Sequence, residues 1–131
     1  MEKILLPRGY GRSYNACKYA IENNCDIVAP DRAGAIALTY IIQDVCKASD
    51  SLELYRITCV GNIIYSAIVI RHERNKTDSV EIRFYDICQY FEQEKTERGR
   101  RKDVVFDDVD RCMQVLCPYR KISMVTMEVE G

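Results

Sequence analysis

The order of apolar and punctuating residues at the start of the chain constrains the fold more than any other feature. Residues 3–6, Lys-Ile-Leu-Leu, form a short apolar run that meets Pro7-Arg8-Gly9-Tyr10-Gly11, which reads as a buried strand ending in a tight loop. From Ser13 to Asn23, Ala16, Cys17, Ala20 and Ile21 share one helical face. Asn23-Asn24 closes that helix, and Cys25-Asp26-Ile27-Val28-Ala29 reads as the next strand, stopped by Pro30. A strand–helix–strand unit of about thirty residues is the size of a βαβ crossover, which implies parallel strands with a helix laid on the sheet.

Asp31 then offers a good N-cap. Ala33, Ile36, Ala37, Tyr40, Ile41 and Val45 recur after it at helical spacing. The middle of the chain changes character. Leu54 to Val60 and Ile63 to Ile70 flank Gly61-Asn62, a two-residue hairpin turn. A polar run from Arg71 to Asp78 leads into Ser79-Val80-Glu81-Ile82-Arg83-Phe84, whose alternation suits a strand with one wet face. Residues 54–84 therefore read as an antiparallel meander, or as a hairpin plus a returning strand. A short helix with Ile87, Tyr90 and Phe91 on one face follows, and then a charged surface loop at 92–103 containing Gly99. The end repeats the opening rhythm: strand Val104-Val105-Phe106, a helix carrying Val109, Cys112, Met113 and Leu116, then Pro118 and a strand from Ile122 to Val129. The expected architecture is a single α/β domain over 1–131, with parallel strands flanked by helices and an antiparallel hairpin or meander inserted at 54–84.

Composition narrows the function classes. The 131 residues are 47% hydrophobic and 30% charged, the profile of one globular domain with a core. A net charge of −1 supplies no global field toward nucleic acid or an anionic membrane. Seven cysteines fall at 17, 25, 46, 59, 88, 112 and 117, beside a single histidine, His72. An odd count without C-x-x-C spacing argues against a disulfide framework and a zinc site. The cysteines read as small buried hydrophobes in a reducing compartment, although Cys112 and Cys117 are spaced to share a helix face. The apolar run at the start reaches Pro7 before a signal-peptide core can form. No apolar stretch approaches membrane-spanning length, so the expected location is cytoplasmic, with no membrane partner.

Two segments at opposite ends of the chain carry the chemistry. Pro7-Arg8-Gly9-Tyr10-Gly11-Arg12-Ser13 lies between a strand and a helix. A phosphate group needs converging backbone N–H groups, glycines that let the chain approach its oxygens, and a helix N-terminus facing it. The second segment, Val104-Val105-Phe106-Asp107-Asp108, is an apolar strand delivering carboxylates at its C-terminal end, where an α/β sheet presents a magnesium-handling acid. Together they resemble the phosphate loop and the acidic strand of the Walker-type P-loop NTPases, in particular the small divergent ones of phages and mobile elements. The resemblance covers about the first and the last thirty residues. It implies a P-loop-like sheet and a phosphate- or nucleotide-binding function, with ATP or GTP as ligand together with Mg²⁺. Gly9, Tyr10, Gly11, Arg12 and Ser13 would cradle the phosphates, Ser13 and Asp107 would hold the ion, and Asp108 would orient water in a weak NTPase. The full pattern has glycine and lysine where this chain has Leu6 and Arg12, and the arginine fork reaches a phosphate differently from a lysine point charge.

A second reading belongs to another class. The same scaffold could serve as a non-enzymatic protein-interaction module, such as a phage-encoded, anti-CRISPR-like inhibitor of a host defence nuclease, using the sheet edge at 54–84 or the charged loops. A host protein or a second copy of the chain would then be its partner. The basic residues Arg98, Arg100, Arg101 and Lys102 offer local contact to nucleic acid, but the acids flanking them favour a solvated loop. His72 reads as a surface residue. Tyr10, Tyr14 and Tyr19, near the loop, are candidates for base stacking or for packing.

Overall fold

The computed structural model describes residues 10–61, 64–96 and 102–117. The strands expected at 3–6 and 122–129, the loop residues 7–9 and the basic residues 98–101 lie outside them.

The first helix, α1 (Tyr10–Asn23), buries Ala16, Cys17, Ala20 and Ile21 as the spacing predicts. It starts one turn earlier than expected, so Tyr10, Gly11 and Arg12 form its opening turn rather than a loop. The first N–H groups of a helix have no intrahelical acceptor. At the other end Asn24 takes a left-handed conformation (φ 54°), and Cys25 N–H reaches back to the Ala20 carbonyl at 3.0 Å. That six-to-one bond is a Schellman closure, with asparagine where glycine is usual. Arg71 completes it by donating to the carbonyls of Ile21 and Glu22.

Strand β1 (Asp26–Ala29) is buried throughout. Helix α2 (Arg32–Lys47) follows, capped by the Asp31 carboxylate, which accepts the Gly34 N–H. Its core face comprises Ala35, Leu38, Thr39, Ile42, Val45 and Cys46, whereas the anticipated stripe largely faces outward, with Tyr40 66% exposed. Apolar residues on nearly every side of this helix leave periodicity alone unable to choose the phase.

Three long strands come next: β2 (Leu52–Val60), β3 (Ile64–Glu73) and β4 (Lys76–Asp86). They form the expected antiparallel meander, with two differences. Val60 pairs with Ile64, leaving three residues in the first connection, and Gly61 there has a φ of 60°. The polar run 71–78 is mostly strand: Glu73 pairs with Lys76 across a turn at Arg74-Asn75. The exposed side chains of this hairpin end hid its extended backbone from hydropathy. Helix α3 (Ile87–Thr96) runs on into the segment expected to be a loop, with Glu92 exposed. Strand β5 (Val104–Phe106) and helix α4 (Val109–Leu116) sit where the sequence puts them.

The five strands make one mixed sheet in the order β2-β3-β4-β1-β5. The meander is continuous with the parallel core rather than an appendage, since β1 pairs parallel with both β4 and β5. Alternation along β1 sends Ile27 and Ala29 into a core with α1 and α2, and Val28 into a smaller one containing Ile87 of α3 and Cys112 of α4. Each fully buried Ile, Leu or Phe contributes roughly 1.5–3 kcal/mol. No helix among the described residues is long and apolar enough to cross a membrane.

Candidate functional site at the carboxyl ends of the parallel strands

Helices α2, α3 and α4 each begin where a parallel strand ends, and α1 begins beside the end of β5. In open α/β sheets ligands bind in this position, where connections from neighbouring strands leave toward opposite faces. Here the connection from β1 runs to the α1/α2 side, and those from β4 and β5 run to the α3/α4 side.

The two segments singled out in the sequence meet at this edge. Ser13 Oγ, in the opening turns of α1, donates to Asp107 Oδ2 at 3.0 Å and lies 3.3 Å from Oδ1, across 94 residues of chain. Arg12 Nη2 stands 3.8 Å from Asp108 Oδ1. The N–H groups of Tyr10, Gly11 and Arg12 open the helix and have no intrahelical acceptor. A Cβ built on Gly11 would meet nothing within 4 Å, so no neighbour among the described residues demands glycine there. Gly9, the remaining member of the expected cradle, lies outside the described residues.

Asp107 is anchored by backbone as well, its N–H donating to the Val28 carbonyl at 2.8 Å and so extending the β1–β5 ladder. Burial pushes its carboxyl above the usual range; the Ser13 hydroxyl and the Arg12 charge pull the other way, and the Asp108 charge adds to the rise. Asp108 adopts a left-handed conformation (φ 57°) and caps α4 by accepting the Arg111 N–H. Aspartate tolerates that backbone better than most residues. Cys112 lies behind the pair, its thiol 3.5 Å from the Asp107 carbonyl and pushed up to about 12, first by burial and then by Asp108 and Asp107. It is therefore a packing residue rather than a nucleophile.

Two further residues complete the edge. Asp31 Oδ1 accepts the Gly34 N–H at 2.7 Å, and its Oδ2 accepts from Arg111 Nη2 at 3.0 Å. A Cβ at Gly34 would come within 3.1 Å of that same Asp31 oxygen, so the close cap depends on glycine. The sequence signal for this part is an acid at or just past the end of every parallel strand: Asp31 past β1, Asp86 closing β4 and Asp107 past β5. Asp86 caps α3, in a reciprocal pair with Gln89 at 2.8 and 3.0 Å.

Other candidates lie elsewhere. His72 is exposed on β3, 3.3 Å from Glu53. Tyr14 and Tyr19 pack against the α1/α2 core. Lys102 is engaged by Asp26 and the Glu81 carbonyl, so this member of the basic cluster is structural. All seven cysteines are free; Cys17, Cys25, Cys46 and Cys112 are buried, while Cys59, Cys88 and Cys117 are exposed, contrary to the uniformly buried expectation. Among the described residues no three His, Cys, Asp or Glu side chains converge as a cation cage. A cavity of about 400 Å³ at the far end of α1 is lined by Lys18, Glu22, Ser49, Arg71 and His72 among others, and shares no residue with the Ser13–Asp107 pair.

Comparison with protein-family models, with curated proteins and with solved structures returns no match.

Proposed function

We propose that this chain is a phosphate-binding protein of the nucleotide-binding kind, with its site at the opening turn of α1. The observation that carries the reading is the hydrogen bond from Ser13 to Asp107. A hydroxyl at the start of a helix and a carboxylate at the end of a neighbouring strand are the two protein ligands that a phosphate-loop enzyme gives to Mg²⁺. Both are hard oxygen donors, and Mg²⁺ prefers one or two carboxylates completed by phosphate and water to an all-protein cage. The cost of burying Asp107 also fits a carboxylate whose partner is a cation. The ion, when bound, would neutralise charge on the phosphates.

The chain's own residues would divide the remaining work. The N–H groups opening α1 would point at phosphate oxygens, with the helix dipole adding favourable charge. Space beside Gly11 would admit them at backbone contact distance. Arg12 would exchange Asp108 for phosphate, and Asp108, released, would be free to orient a water in a slow hydrolysis. The direct test is thermal unfolding with ATP, GTP and ADP in the presence of Mg²⁺, followed by a turnover assay on any nucleotide that stabilises. Ligand at a hundred times its dissociation constant adds about 2.7 kcal/mol. Arg12→Ala and Asp107→Asn should each abolish most of the shift; no shift at millimolar nucleotide would sink the reading.

A separate observation favours the interaction module. Phe91 on α3 and Met113, Val115 and Leu116 on α4 are each more than a third exposed, and exposed apolar side chains gathered on two neighbouring helices are the kind of surface that partners cover. Self-association measured by sedimentation, retained in Arg12→Ala and Asp107→Asn and lost in Phe91→Ser, would support that reading with a second copy as the partner.

A further inference from the structure

We infer that Arg111 is a second phosphate-contacting cation of this site, held away from it by Asp31 until a multiply charged phosphate chain displaces the carboxylate. The inference rests on the phosphate-binding reading above and adds to it a residue that the Walker-type resemblance does not supply.

The geometry is a line of polar contacts across the ends of β5 and β1. Arg12 Nη2 faces Asp108 Oδ1 at 3.8 Å, and the same oxygen accepts the Arg111 N–H at 3.4 Å. The Arg111 guanidinium then reaches Asp31 Oδ2 at 3.0 Å, from a side chain 57% exposed. The line therefore begins and ends with an arginine facing a carboxylate, Arg12 on Asp108 and Arg111 on Asp31, and Arg12 is close enough for its charge to act on Asp107. Asp31 does not depend on Arg111, because its other oxygen caps α2 through Gly34. Losing the arginine would leave the cap intact and the carboxylate at a helix N-terminus, where negative charge is favoured.

Chemistry says which way the exchange runs. Arg111 uses one nitrogen on Asp31, while a guanidinium offers five donors in a planar fork matched to phosphate oxygens. An exposed ion pair contributes little, so leaving Asp31 costs little. Arg71 shows the opposite case, with both ends of its fork on Asp78 and a third group of bonds to α1 carbonyls. A monoanion gains little by competing with carboxylates already facing both arginines. A triphosphate chain carries enough charge to take both, whether it comes on a nucleoside or as the inorganic polymer.

Three variants of the full chain separate this from a structural ion pair. Affinities for Mg-ATP, Mg-GTP and Mg-tripolyphosphate would be measured calorimetrically at low salt for wild type, Asp31→Asn, Arg111→Ala and Arg111→Lys. Asparagine caps a helix as well as aspartate does, so Asp31→Asn preserves α2 and frees Arg111; it should tighten binding about twofold to fivefold. Arg111→Ala should weaken it about tenfold or more, with Arg111→Lys between, since charge without the fork is only part of the contact. Opposite shifts from the two ends of one ion pair support the inference, with tripolyphosphate binding like ATP if the chain alone is recognised and more weakly if the nucleoside contributes. Affinity unchanged in both variants, or weakened in both, overturns it while wild-type binding sensitive to Arg12→Ala leaves the nucleotide reading standing. No wild-type binding to any of the three overturns both.

Discussion

Asp26 and Asp107 stand at opposite ends of the same parallel core and are treated in opposite ways. Asp26 opens β1 with its side chain only 4% exposed, accepting the Arg83 N–H at 3.0 Å and the Lys102 ammonium at 3.3 Å. Asp107 follows β5 half-buried, with a neutral hydroxyl as its nearest side-chain donor and burial raising its pKa. One carboxylate has been given several partners inside the fold; the other has been brought into the protein without a cation at bonding distance among the described residues. The difference separates charge that holds strands together from charge that, on the proposed reading, waits for a cation. Arg71 and Arg111 repeat the contrast, the first enclosed by Asp78 and helix carbonyls, the second on a single exposed pair.

The comparison can be broken most easily at its structural end. Removing the Asp26 carboxylate takes from the Arg83 N–H its acceptor and from the Lys102 ammonium the carboxylate at 3.3 Å, and breaking an enclosed pair from one side costs about 3–5 kcal/mol. Asp26→Ala should therefore lower the free energy of unfolding in urea by that order. Nucleotide affinity of the folded fraction should stay unchanged, because the site lies at the other end of the strands. A loss below about 1 kcal/mol would place Asp26 with the exposed surface pairs and remove the contrast. Arg71→Ala comes next, at about 1–2 kcal/mol, for it leaves the Ile21 and Glu22 carbonyls at the end of α1 without this donor. Its effect should be concentrated in α1, as faster amide exchange over the last turn of that helix.

At the functional end the sign should reverse. Asp107→Asn keeps an acceptor for Ser13 and removes a desolvated charge, so the ligand-free protein should gain stability, by about 1 kcal/mol or less given partial solvent screening. Its pH dependence checks the cause. A carboxyl whose folded pKa lies above its unfolded value makes the native state bind more protons in that window, so stability falls as pH rises through it. The advantage of Asp107→Asn should accordingly be absent at pH below the unfolded carboxylate range, grow through the window and stay constant above it. An advantage that is equally large at low pH would point to packing instead of charge.

Why some of this was legible in the sequence and some was not has a physical reason in each place. The buried face of α1 was readable because Ala16, Cys17, Ala20 and Ile21 stand apart from polar neighbours, whereas α2 is apolar almost all round and its phase is decided only by the sheet it meets. The hairpin end at 71–78 was hidden because its side chains are wet on both faces while its backbone stays paired. Ser13 and Asp107 could be matched across the chain, since a hydroxyl after a glycine-rich turn and an acid after an apolar strand each carry chemistry in local context. Asp31 and Arg111 could not. A cap explains Asp31 fully from its neighbours, and only the closure of β1 against β5 brings an arginine from 80 residues away onto its second oxygen.

The smallest predicted effect discriminates best between a ligand site and an ordinary helix start. Gly11 lies in the first turn of α1 in open space and lacks the positive φ that would require glycine. If it serves only as part of a helix, alanine should improve on it by about 0.5–1 kcal/mol through helix propensity and a less disordered unfolded chain. If the space beside it admits phosphate oxygens, the added methyl should remove the stabilisation that Mg-nucleotide confers while the ligand-free protein still gains. Gly11→Ala is thus expected to melt a few degrees higher than wild type without nucleotide and to show little further rise with it. A variant that is both more stable and still fully responsive to nucleotide would move the phosphates away from the opening turn of α1, and the contrast between the two ends of the sheet would lose its functional half.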